Sequence, residues 1–357
     1  MTLIMRQSIP AFGAPLCETV GACPDPQGTE VLVRVTRCGV CHSDLHLQDG
    51  YFVLGEDKRL DIRSGRPLPF TPGHEIAGVV EHVGDAVEGA APGDAVAVYP
   101  WIGCGGCAAC RRGEENICAA SRHLGINVDG GFASHVLVPH PRYLLSYAPL
   151  APAFAATLMC SGLTAYGALK RLTQEAARGP LLLVGMGGVG MMGLALARKM
   201  FGQAPLVADI DPAKRAAASA AGAAAAFDPE DAGACKAIVA ATDGGAYGAI
   251  DFVGSQQSLT FATGVLAKGG KVVVIGFMGG SITLPVAMFA LKAMTIEGCQ
   301  TGTLAEARDL IDLVRTRKLD PPPIHERPLA EAQAALESLR AGRVIGRTVL
   351  TMDQHVG

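Results

Sequence analysis

Four cysteines within one short segment carry the strongest chemical signal in the sequence. Cys104, Cys107 and Cys110 recur at intervals of three residues, and Cys118 follows eight residues later. Four thiolates at this spacing favour a tetrahedral zinc site in which the protein fills every coordination position. Such a closed site has no position for substrate, so the spacing predicts a structural zinc. An iron–sulfur cluster is the alternative that spacing alone leaves open.

A second set of metal-ligating residue types is spread over the first half of the chain. Cys41 follows a predicted strand, His74 begins another, and Cys160 lies further along the sequence. One histidine and two cysteines would hold zinc and leave its fourth position open to water or substrate, as in catalytic sites. Glu75 is interpreted as an alternative ligand or a supporting group, and Asp44 as the residue that orients the His74 ring.

Cys38 and Cys41 also form a C-x-x-C pair, which in a reducing compartment can be a thioredoxin-like redox centre. Such a centre is expected close to βαβ units, and the predicted βαβ units lie elsewhere in the chain. We therefore interpret Cys38 as a buried thiol, with a thiol redox sensor as the competing hypothesis.

A glycine-rich turn of the dinucleotide-binding type follows the apolar run at residues 181–184. The turn comprises Gly185, Met186, Gly187, Gly188, Val189 and Gly190. A helix is predicted after it, and Asp209 lies nineteen residues beyond its last glycine, at the end of the next predicted strand. This context indicates pyrophosphate at the helix N-terminus and the adenosine ribose at Asp209. Because the Asp209 carboxylate would repel a 2′-phosphate, we expect NAD rather than NADP, with Lys214 near the ribose.

Two kinds of hydrophobic pattern divide the chain around these residues. Residues 1–151 alternate short strands and turns; Val31, Val33 and Val35, for example, share one face of a strand. Residues 152–287 alternate nearly continuous apolar runs with helical stretches, which predicts a doubly wound parallel sheet covered on both faces. Its strands are expected at 181–184, 206–208, 250–253 and 272–275, with a weaker one at 223–227. Residues 288–357 are expected to complete the first domain.

The composition excludes several other classes of function. The 357 residues are 49% hydrophobic and 18% charged, and the net charge is −3. The chain can therefore bury two cores, and it has no basic stripe that would bind nucleic acid or a membrane surface. No basic N-terminal region precedes a long apolar run, so we expect no secretory signal and a cytoplasmic location. In that compartment the eleven cysteines favour metal binding over disulfides.

Together these motifs resemble those of the zinc-containing medium-chain alcohol dehydrogenases, over essentially the whole chain. The matching segments are GVCHSDLH at 39–46, GHEIAG at 73–78, the four-cysteine segment, CSGLTAY at 160–166 and GMGGVG at 185–190. YPW at 99–101, LGIN at 124–127 and IGRTVL at 345–350 are similar to an archaeal-type subgroup of the tetrameric microbial enzymes. The resemblance implies a GroES-like, mostly β catalytic domain beside a Rossmann domain, two zinc ions per subunit, NAD, and a homotetramer or homodimer.

The resemblance also implies roles for individual residues. Ser43 and His46 would form a proton relay through the nicotinamide ribose. His42 and Arg347 would contact the cofactor pyrophosphate. Further cofactor contacts are expected at Val253, Ile275 and Phe277, and the substrate pocket would be lined by Phe52, Trp101 and Leu124.

The implied activity interconverts a primary or secondary alcohol and its aldehyde or ketone, with NAD as the hydride carrier. A polyol, threonine or formaldehyde dehydrogenase of the same superfamily is the nearest alternative, and a zinc-ribbon binding protein is one from another class. One feature departs from many family members, since His74 lies thirty-three positions after Cys41 because of a charged insert at residues 55–65. We interpret the insert as an exposed loop, with the pocket mouth or a subunit contact as the alternative.

Overall fold

The computed structural model describes residues 3–55 and 57–352. Its strands are β1 (Leu3–Ser8), β2 (Cys17–Ala22), β3 (Val31–Gly39), β4 (Tyr51–Gly55), β5 (Lys58–Asp61), β6 (Glu75–Val83), β7 (Ala95–Val98), β8 (His135–Val138), β9 (Leu144–Ser146), β10 (Leu182–Val184), β11 (Leu206–Ala208), β12 (Ala225–Phe227), β13 (Ala246–Asp251), β14 (Leu266–Val274), β15 (Thr295–Gly298), β16 (Ile324–Pro328) and β17 (Arg347–Thr351).

Helices of three kinds accompany the strands. The α-helices are α1 (His42–Asp49), α2 (Ala108–Arg111), α3 (Pro152–Thr157), α4 (Leu163–Lys170), α5 (Thr173–Ala176), α6 (Gly188–Phe201), α7 (Pro212–Ala220), α8 (Ala234–Ala241), α9 (Gln256–Gly264), α10 (Val286–Lys292), α11 (Leu304–Arg317) and α12 (Ala332–Arg340). A π-helical turn, Leu158–Gly162, joins α3 to α4. Short 3-10 turns lie at Glu115–Ile117, Pro141–Tyr143 and Leu329–Glu331.

The first domain is built around a seven-stranded sheet. Its order is β16-β17-β3-β6-β7-β9, with β8 also paired to β3. Every pair is antiparallel except β16 with β17. Val31, Val33 and Val35 of β3 are buried as predicted, whereas Arg34 and Thr36 on the other face are partly exposed. Because β17 pairs with β3, the last strand of the chain returns to this domain.

The second domain contains a six-stranded parallel sheet. The strand order is β12-β11-β10-β13-β14-β15. From β10 the chain adds β11 and β12 on one side, and it then crosses back to add β13, β14 and β15 on the other side, so the order of strand addition reverses between β10 and β13. Every residue of β10 and β11 is buried, and helices such as α6 and α9 pack against the sheet. The reversal opens a crevice at the carboxyl ends of β10 and β13, where such folds bind ligands. The predicted class, a mostly β domain joined to a doubly wound parallel sheet, is confirmed.

The second domain extends further along the chain than predicted. Strand β15 lies in the parallel sheet, where Ile296 is in register with Val272 and Gly298 with Val274. The assignment of residues 288–298 to the first domain is therefore wrong. Ile296 is the single apolar residue of β15, so this strand lacks the continuous apolar run that identified the others.

The predicted strands of this domain are present, although β14 begins six residues before its predicted start at 272. Strand β13 begins four residues before its predicted start at 250 and also ends early. It stops at Asp251, two residues before the predicted end at 253. The N–H groups of Val253 and Gly254 turn back to the Asp251 carboxylate at 2.9 and 3.0 Å, instead of continuing the ladder.

One continuous helical stretch, Pro152–Lys170, connects the two domains. It comprises α3, the π-helical turn and α4; α3 packs on β3 and β6, whereas α4 packs on α6. By length and apolarity it is the one stretch of the described residues that resembles a membrane span, and 89% of its eighteen most apolar consecutive residues are buried inside the protein. Burial between two domains accounts for its apolar composition without a membrane.

Candidate functional site

Three predicted zinc ligands come together from distant parts of the chain. Cys41 immediately precedes α1, His74 immediately precedes β6, and Cys160 lies in the π-helical turn. Their ligand atoms all lie within 4.8 Å of one another. The exposed fractions of the three residues are 8%, 0% and 6%, so the cluster is enclosed by both domains.

The π-helical turn fixes the position of Cys160. A π turn widens a helix by one residue, and such turns are frequent at functional sites. The Trp101 indole donates to the carbonyl of Met159 at 2.9 Å, and the Ser161 hydroxyl donates to the carbonyl of Thr157 at 2.8 Å. These contacts hold the turn on both sides of the Cys160 thiol. Nothing in the local sequence signalled a π turn.

Asp44 supports two of the three ligands at once. Its carboxylate accepts the N–H of Cys41 at 2.8 Å and the N–H of Gly73 at 3.1 Å. Its Oδ1 also lies 3.4 Å from Nδ1 of His74, and both side chains are fully buried. This is the orienting position predicted for Asp44, because a carboxylate at Nδ1 turns Nε2 toward the cluster.

The donor atoms of the cluster fit a zinc ion. Both ring nitrogens of His74 are buried without a hydrogen-bond partner among the described residues, and Nδ1 faces Asp44 at 3.4 Å. A buried polar atom without a partner is rare unless a further group binds there. The pKa of the Cys41 thiol lies well below its usual value, because Cys160 donates a hydrogen bond to it and His74 adds a favourable charge that outweighs burial. Thiolate and imidazole are preferred zinc ligands, and three of them leave one position open.

Glu75 connects this cluster to the crevice of the parallel sheet. Its Oε1 accepts from the Arg347 guanidinium and from the N–H of Ser161, the latter at 3.2 Å. Oε2 has no hydrogen-bond partner among the described residues. Burial raises the pKa of Glu75, although Arg347 opposes the shift. Arg347 also lies against Gly188 at the start of α6, so it contacts both the predicted pyrophosphate site and Glu75 beside the metal cluster.

The predicted proton relay lies on α1. Ser43 Oγ is 3.9 Å from Sγ of Cys41, and the His46 ring lies 4.6 Å from the ring of Phe52. His42 begins the helix and is exposed. Burial lowers the pKa of His46, so its ring favours the neutral state at neutral pH. A neutral imidazole at His46 can accept a proton.

Two of the three residues predicted to line the substrate pocket contact other site residues directly. The Trp101 ring lies 5.5 Å from the His74 ring, and the Phe52 ring lies 5.9 Å from the ring of Phe277 in the second domain. Leu124 is buried in the same hydrophobic core as Trp101, and its N–H donates to the carbonyl of Pro100 at 3.0 Å.

The insert at residues 55–65 completes a hairpin rather than an irregular loop. Strands β4 and β5 pair antiparallel, and the backbone of Gly55 lies against that of Gly280 in the second domain. Side chains of β5 are exposed, in keeping with the prediction of an exposed segment, while Gly55 at the start of the insert contacts the second domain. Glu56 lies outside the described residues.

The glycine-rich turn has the geometry that the fingerprint requires. Gly185 adopts φ +91°, and a Cβ at Gly190 would collide with the carbonyl of Gly185. Gly187 precedes α6, which Gly188 and Val189 begin. Asp209 is buried at the end of β11, and its carboxylate accepts the N–H of Met186 at 2.6 Å.

The remaining predicted cofactor residues lie around this turn. The side chain of Val253 packs against Gly185, and Ile275 and Phe277 follow the neighbouring strand β14. Phe277 is 54% exposed, so its ring is available to a ligand. Lys214 lies on α7, with Nζ 3.9 Å from the Asp211 carboxylate beside Asp209.

The four cysteines form a second, separate cluster. The sulfur atoms of Cys104, Cys107, Cys110 and Cys118 lie within 4.8 Å of one another, and Cys104 is exposed. The N–H of Cys110 donates to Cys107 at 3.5 Å, and the N–H of Cys104 to Cys118 at 3.3 Å. Backbone N–H groups of Gly106 and Cys107 lower the pKa of Cys104 to about 6. Four converging sulfurs, one of them readily ionised, fit a closed zinc site.

Two buried carboxylates of functional interest were not selected from the sequence. Glu115 anchors the four-cysteine segment, because it accepts from the N–H of Gly103 at 2.9 Å, the hydroxyl of Tyr143 at 2.7 Å and the guanidinium of Arg142 at 2.9 Å. Asp251 ends β13 and is fully buried. Its position inside a predicted apolar strand was the one available signal.

Cys38 is fully buried in the core of the first domain. Burial raises the pKa of its thiol well above the usual value, and its Sγ points to the carbonyl of Gly39 at 3.8 Å. Cys41 instead belongs to the cluster with His74 and Cys160. This placement gives no support to a redox pair of Cys38 and Cys41.

Comparison with known proteins agrees with this geometry. Residues 27–148 match the family described as alcohol dehydrogenase GroES-like domain, and residues 188–316 match the family described as zinc-binding dehydrogenase. The NAD-dependent alcohol dehydrogenase of Sulfurisphaera tokodaii is 36% identical over 92% of this chain and 94% of its own length. The enzyme of the same description from Saccharolobus solfataricus is 35% identical, over 95% and 97%.

Solved structures show the same similarity. The alcohol dehydrogenase from Aeropyrum pernix superposes with a TM-score of 0.87 at 29% identity, covering 97% of this chain and 99% of that one. The D-arabinose dehydrogenase from Sulfolobus solfataricus superposes with a TM-score of 0.84 at 28% identity, covering 98% and 100%. The similarity thus spans both domains.

Proposed function

This chain belongs to the zinc-binding alcohol dehydrogenase family, and from that premise we propose that it oxidises primary or secondary alcohols to aldehydes or ketones with NAD, and catalyses the reverse reduction. The observation that carries the proposal is the enclosed cluster of Cys41, His74 and Cys160, whose ligand atoms lie within 4.8 Å of one another. Three ligands are the number that leaves zinc one position for substrate.

Cys41, His74 and Cys160 would hold the catalytic zinc, and Asp44 would keep His74 in place. When bound there, zinc supplies Lewis acidity, which lowers the pKa of an alcohol and polarises a carbonyl oxygen. The protein excludes water around the cluster, since all three ligands are buried. Trp101 and Phe52 provide apolar surface against which an alcohol's carbon chain would lie.

Ser43 and His46 would carry the alcohol proton away from the buried site. Ser43 lies beside Cys41 and can pass a proton through its hydroxyl. His46 lies further along α1 and is only partly buried, so it can exchange that proton with solvent. In this scheme the nicotinamide ribose would lie between the two side chains.

The crevice of the parallel sheet would bind NAD. The N-terminus of α6 and Arg347 would face the pyrophosphate, and Asp209 would accept hydrogen bonds from the adenosine ribose. A carboxylate at that position would repel the 2′-phosphate of NADP, which is the reason to propose NAD.

The four-cysteine cluster would bind a second zinc with a structural role. Its four sulfurs leave no open position, and it lies in a surface segment anchored by Glu115. We also propose a homotetramer or homodimer, as the resemblance implies, and a cytoplasmic location.

NADH formation, followed by absorbance, tests the proposal. NAD and NADP are offered in parallel with a panel of primary, secondary and aromatic alcohols, sorbitol and threonine, with and without a zinc chelator. We expect chelator-sensitive NADH formation with simple alcohols. Turnover of only sorbitol or threonine would redirect the substrate class, and a purified protein that binds no zinc would refute the central claim.

A further inference from the structure

Asp251 is a buried carboxylate that neither metal cluster nor the proton relay uses. It ends β13 and is fully buried. Strand β13 is paired with β10, whose end leads into the glycine-rich turn. Because a buried carboxylate costs free energy unless its oxygens are hydrogen-bonded, its partners indicate what it holds in place.

The Asp251 carboxylate holds the turn after its own strand. Oδ1 accepts the N–H of Val253 at 2.9 Å and that of Gly254 at 3.0 Å. Oδ2 accepts the hydroxyl of Ser258 at 2.8 Å, which ties the turn to the first residues of α9. The side chain of Val253 is thereby held against Gly185.

The Asp251 carbonyl holds the end of the neighbouring strand. It accepts the N–H of Ile275 at 3.0 Å and that of Gly276 at 3.2 Å. The N–H of Met278 in turn donates to the carbonyl of Val253 at 3.1 Å. One buried residue therefore receives five hydrogen bonds, and four of them come from backbone N–H groups that follow β13 or β14.

These two strand ends lie on one side of the crevice. Asp209, at the end of β11, lies on the other side of β10 and marks the adenosine half of the site. A dinucleotide that binds across the sheet where the strand order reverses, between β10 and β13, must place its nicotinamide half over β13 and β14. We infer that Asp251 is a positioning residue for the nicotinamide riboside, because it fixes the backbone at Val253 and Ile275. The inference rests on the proposed use of NAD.

The test compares two ligands on the purified full-length enzyme. ADP carries the adenosine and both phosphates, whereas NADH adds the nicotinamide riboside. Asp251→Ala is expected to raise the Kd for NADH by about tenfold or more, because it leaves three hydrogen-bond donors at the nicotinamide side without their acceptor. The Kd for ADP is expected to stay within about twofold of the wild type.

Two further variants separate positioning from structural damage. Asp251→Asn keeps an oxygen that can accept from Val253 and Gly254, so it is expected to recover most of the NADH affinity. Thr263→Ala removes another buried hydroxyl of α9, whose hydrogen bonds, among the residues that the structure describes, go to carbonyls of its own helix. This variant is expected to bind both ligands like the wild type.

Each outcome of these measurements either supports or overturns the inference. Equal weakening of NADH and ADP in Asp251→Ala, or no weakening of either, overturns the inference. If Asp251→Ala does not fold, Ser258→Ala decides: a selective loss of NADH affinity supports the inference, and unchanged or equally weakened binding overturns it. Failure of the wild type to bind NADH would instead refute the proposed function.

Discussion

The two cysteine-containing clusters differ in almost every physical respect. Cys41, His74 and Cys160 come from three separate segments and are buried between the domains. Cys104, Cys107, Cys110 and Cys118 come from one segment at the surface, where Cys104 is exposed. The first cluster offers three ligands and the second offers four.

This difference assigns catalysis to the three-ligand cluster and stability to the four-ligand cluster. A set of four ligands can form from local chain geometry and needs no pocket, because it presents no open position. A set of three needs walls that exclude water and orient a substrate, which one short segment cannot supply. The buried cluster is accordingly expected to govern turnover, and the exposed cluster to govern folding of its segment.

Replacement of Cys41 by Ala should have the largest effect on turnover. Loss of one ligand from a three-ligand set removes the Lewis acid, so kcat/KM is expected to fall by about a thousandfold or more. Zinc content should drop by one ion per subunit while the four-cysteine site stays loaded. Steady-state kinetics and metal analysis check this, and full activity in the variant would end the assignment.

Cys107→Ser should produce the opposite pattern. The surface zinc is lost, and the melting temperature is expected to fall by about 5 °C or more, since a structural metal contributes to folding directly. Folded molecules should keep a kcat near that of the wild type. An unchanged melting temperature together with lost turnover would reverse the roles given to the two clusters.

Asp44→Asn tests the support of the buried cluster. Asp44 holds the N–H of Cys41 and lies at Nδ1 of His74, so kcat/KM is expected to fall by about tenfold to a hundredfold. Asp312→Asn is the matched control, because the Asp312 side chain is largely exposed and, within the described part of the chain, pairs with Arg315 alone. Equal activity of the two variants would show that Asp44 does not support the ligands.

Glu115→Gln tests the support of the exposed cluster. The change weakens charge-assisted bonds from Arg142, Tyr143 and the backbone of Gly103. A decrease in melting temperature of about 2–4 °C is expected, with kcat preserved. Thermal unfolding beside a kinetic assay distinguishes this from any effect on the buried site, which would appear as a lower kcat.

His123 lies between the clusters and should affect stability only in acid. Its ring is 5.3 Å from Trp101, and its Nε2 is 3.5 Å from the Glu115 carbonyl. Burial lowers the pKa of His123 to about 4, below its ordinary value of about 6.5. The unfolded chain therefore binds this proton first, so the free energy of unfolding should fall as pH drops from about 6.5 to about 4.

His123→Gln keeps a polar side chain and removes this titration. Its unfolding free energy, measured by denaturant titration at several pH values, should lose less between pH 6.5 and 4 than that of the wild type. At neutral pH the pH-linked difference should vanish. Identical pH dependence in the two proteins would place the acid-sensitive group elsewhere.

Much of this protein was predictable because several signals are local. The family, the fold class and the class of reaction, all predicted from motifs, are confirmed by the comparisons. The glycine-rich turn is local as well, since strand, turn and helix follow one another directly in the sequence. The individual roles of the site residues remain predictions.

Local spacing was enough to identify the four-cysteine segment and the glycine-rich turn, because residues close together in one turn can direct their thiols or N–H groups to one point. Features that join distant segments are visible only in the folded chain. The π-helical turn at Cys160, the place of β15 in the parallel sheet, the contact of Arg347 with Glu75 and the five bonds to Asp251 are of this kind. Each depends on which strands pair and which helices pack together, and those pairings arise from burial summed over the whole chain rather than from any local pattern.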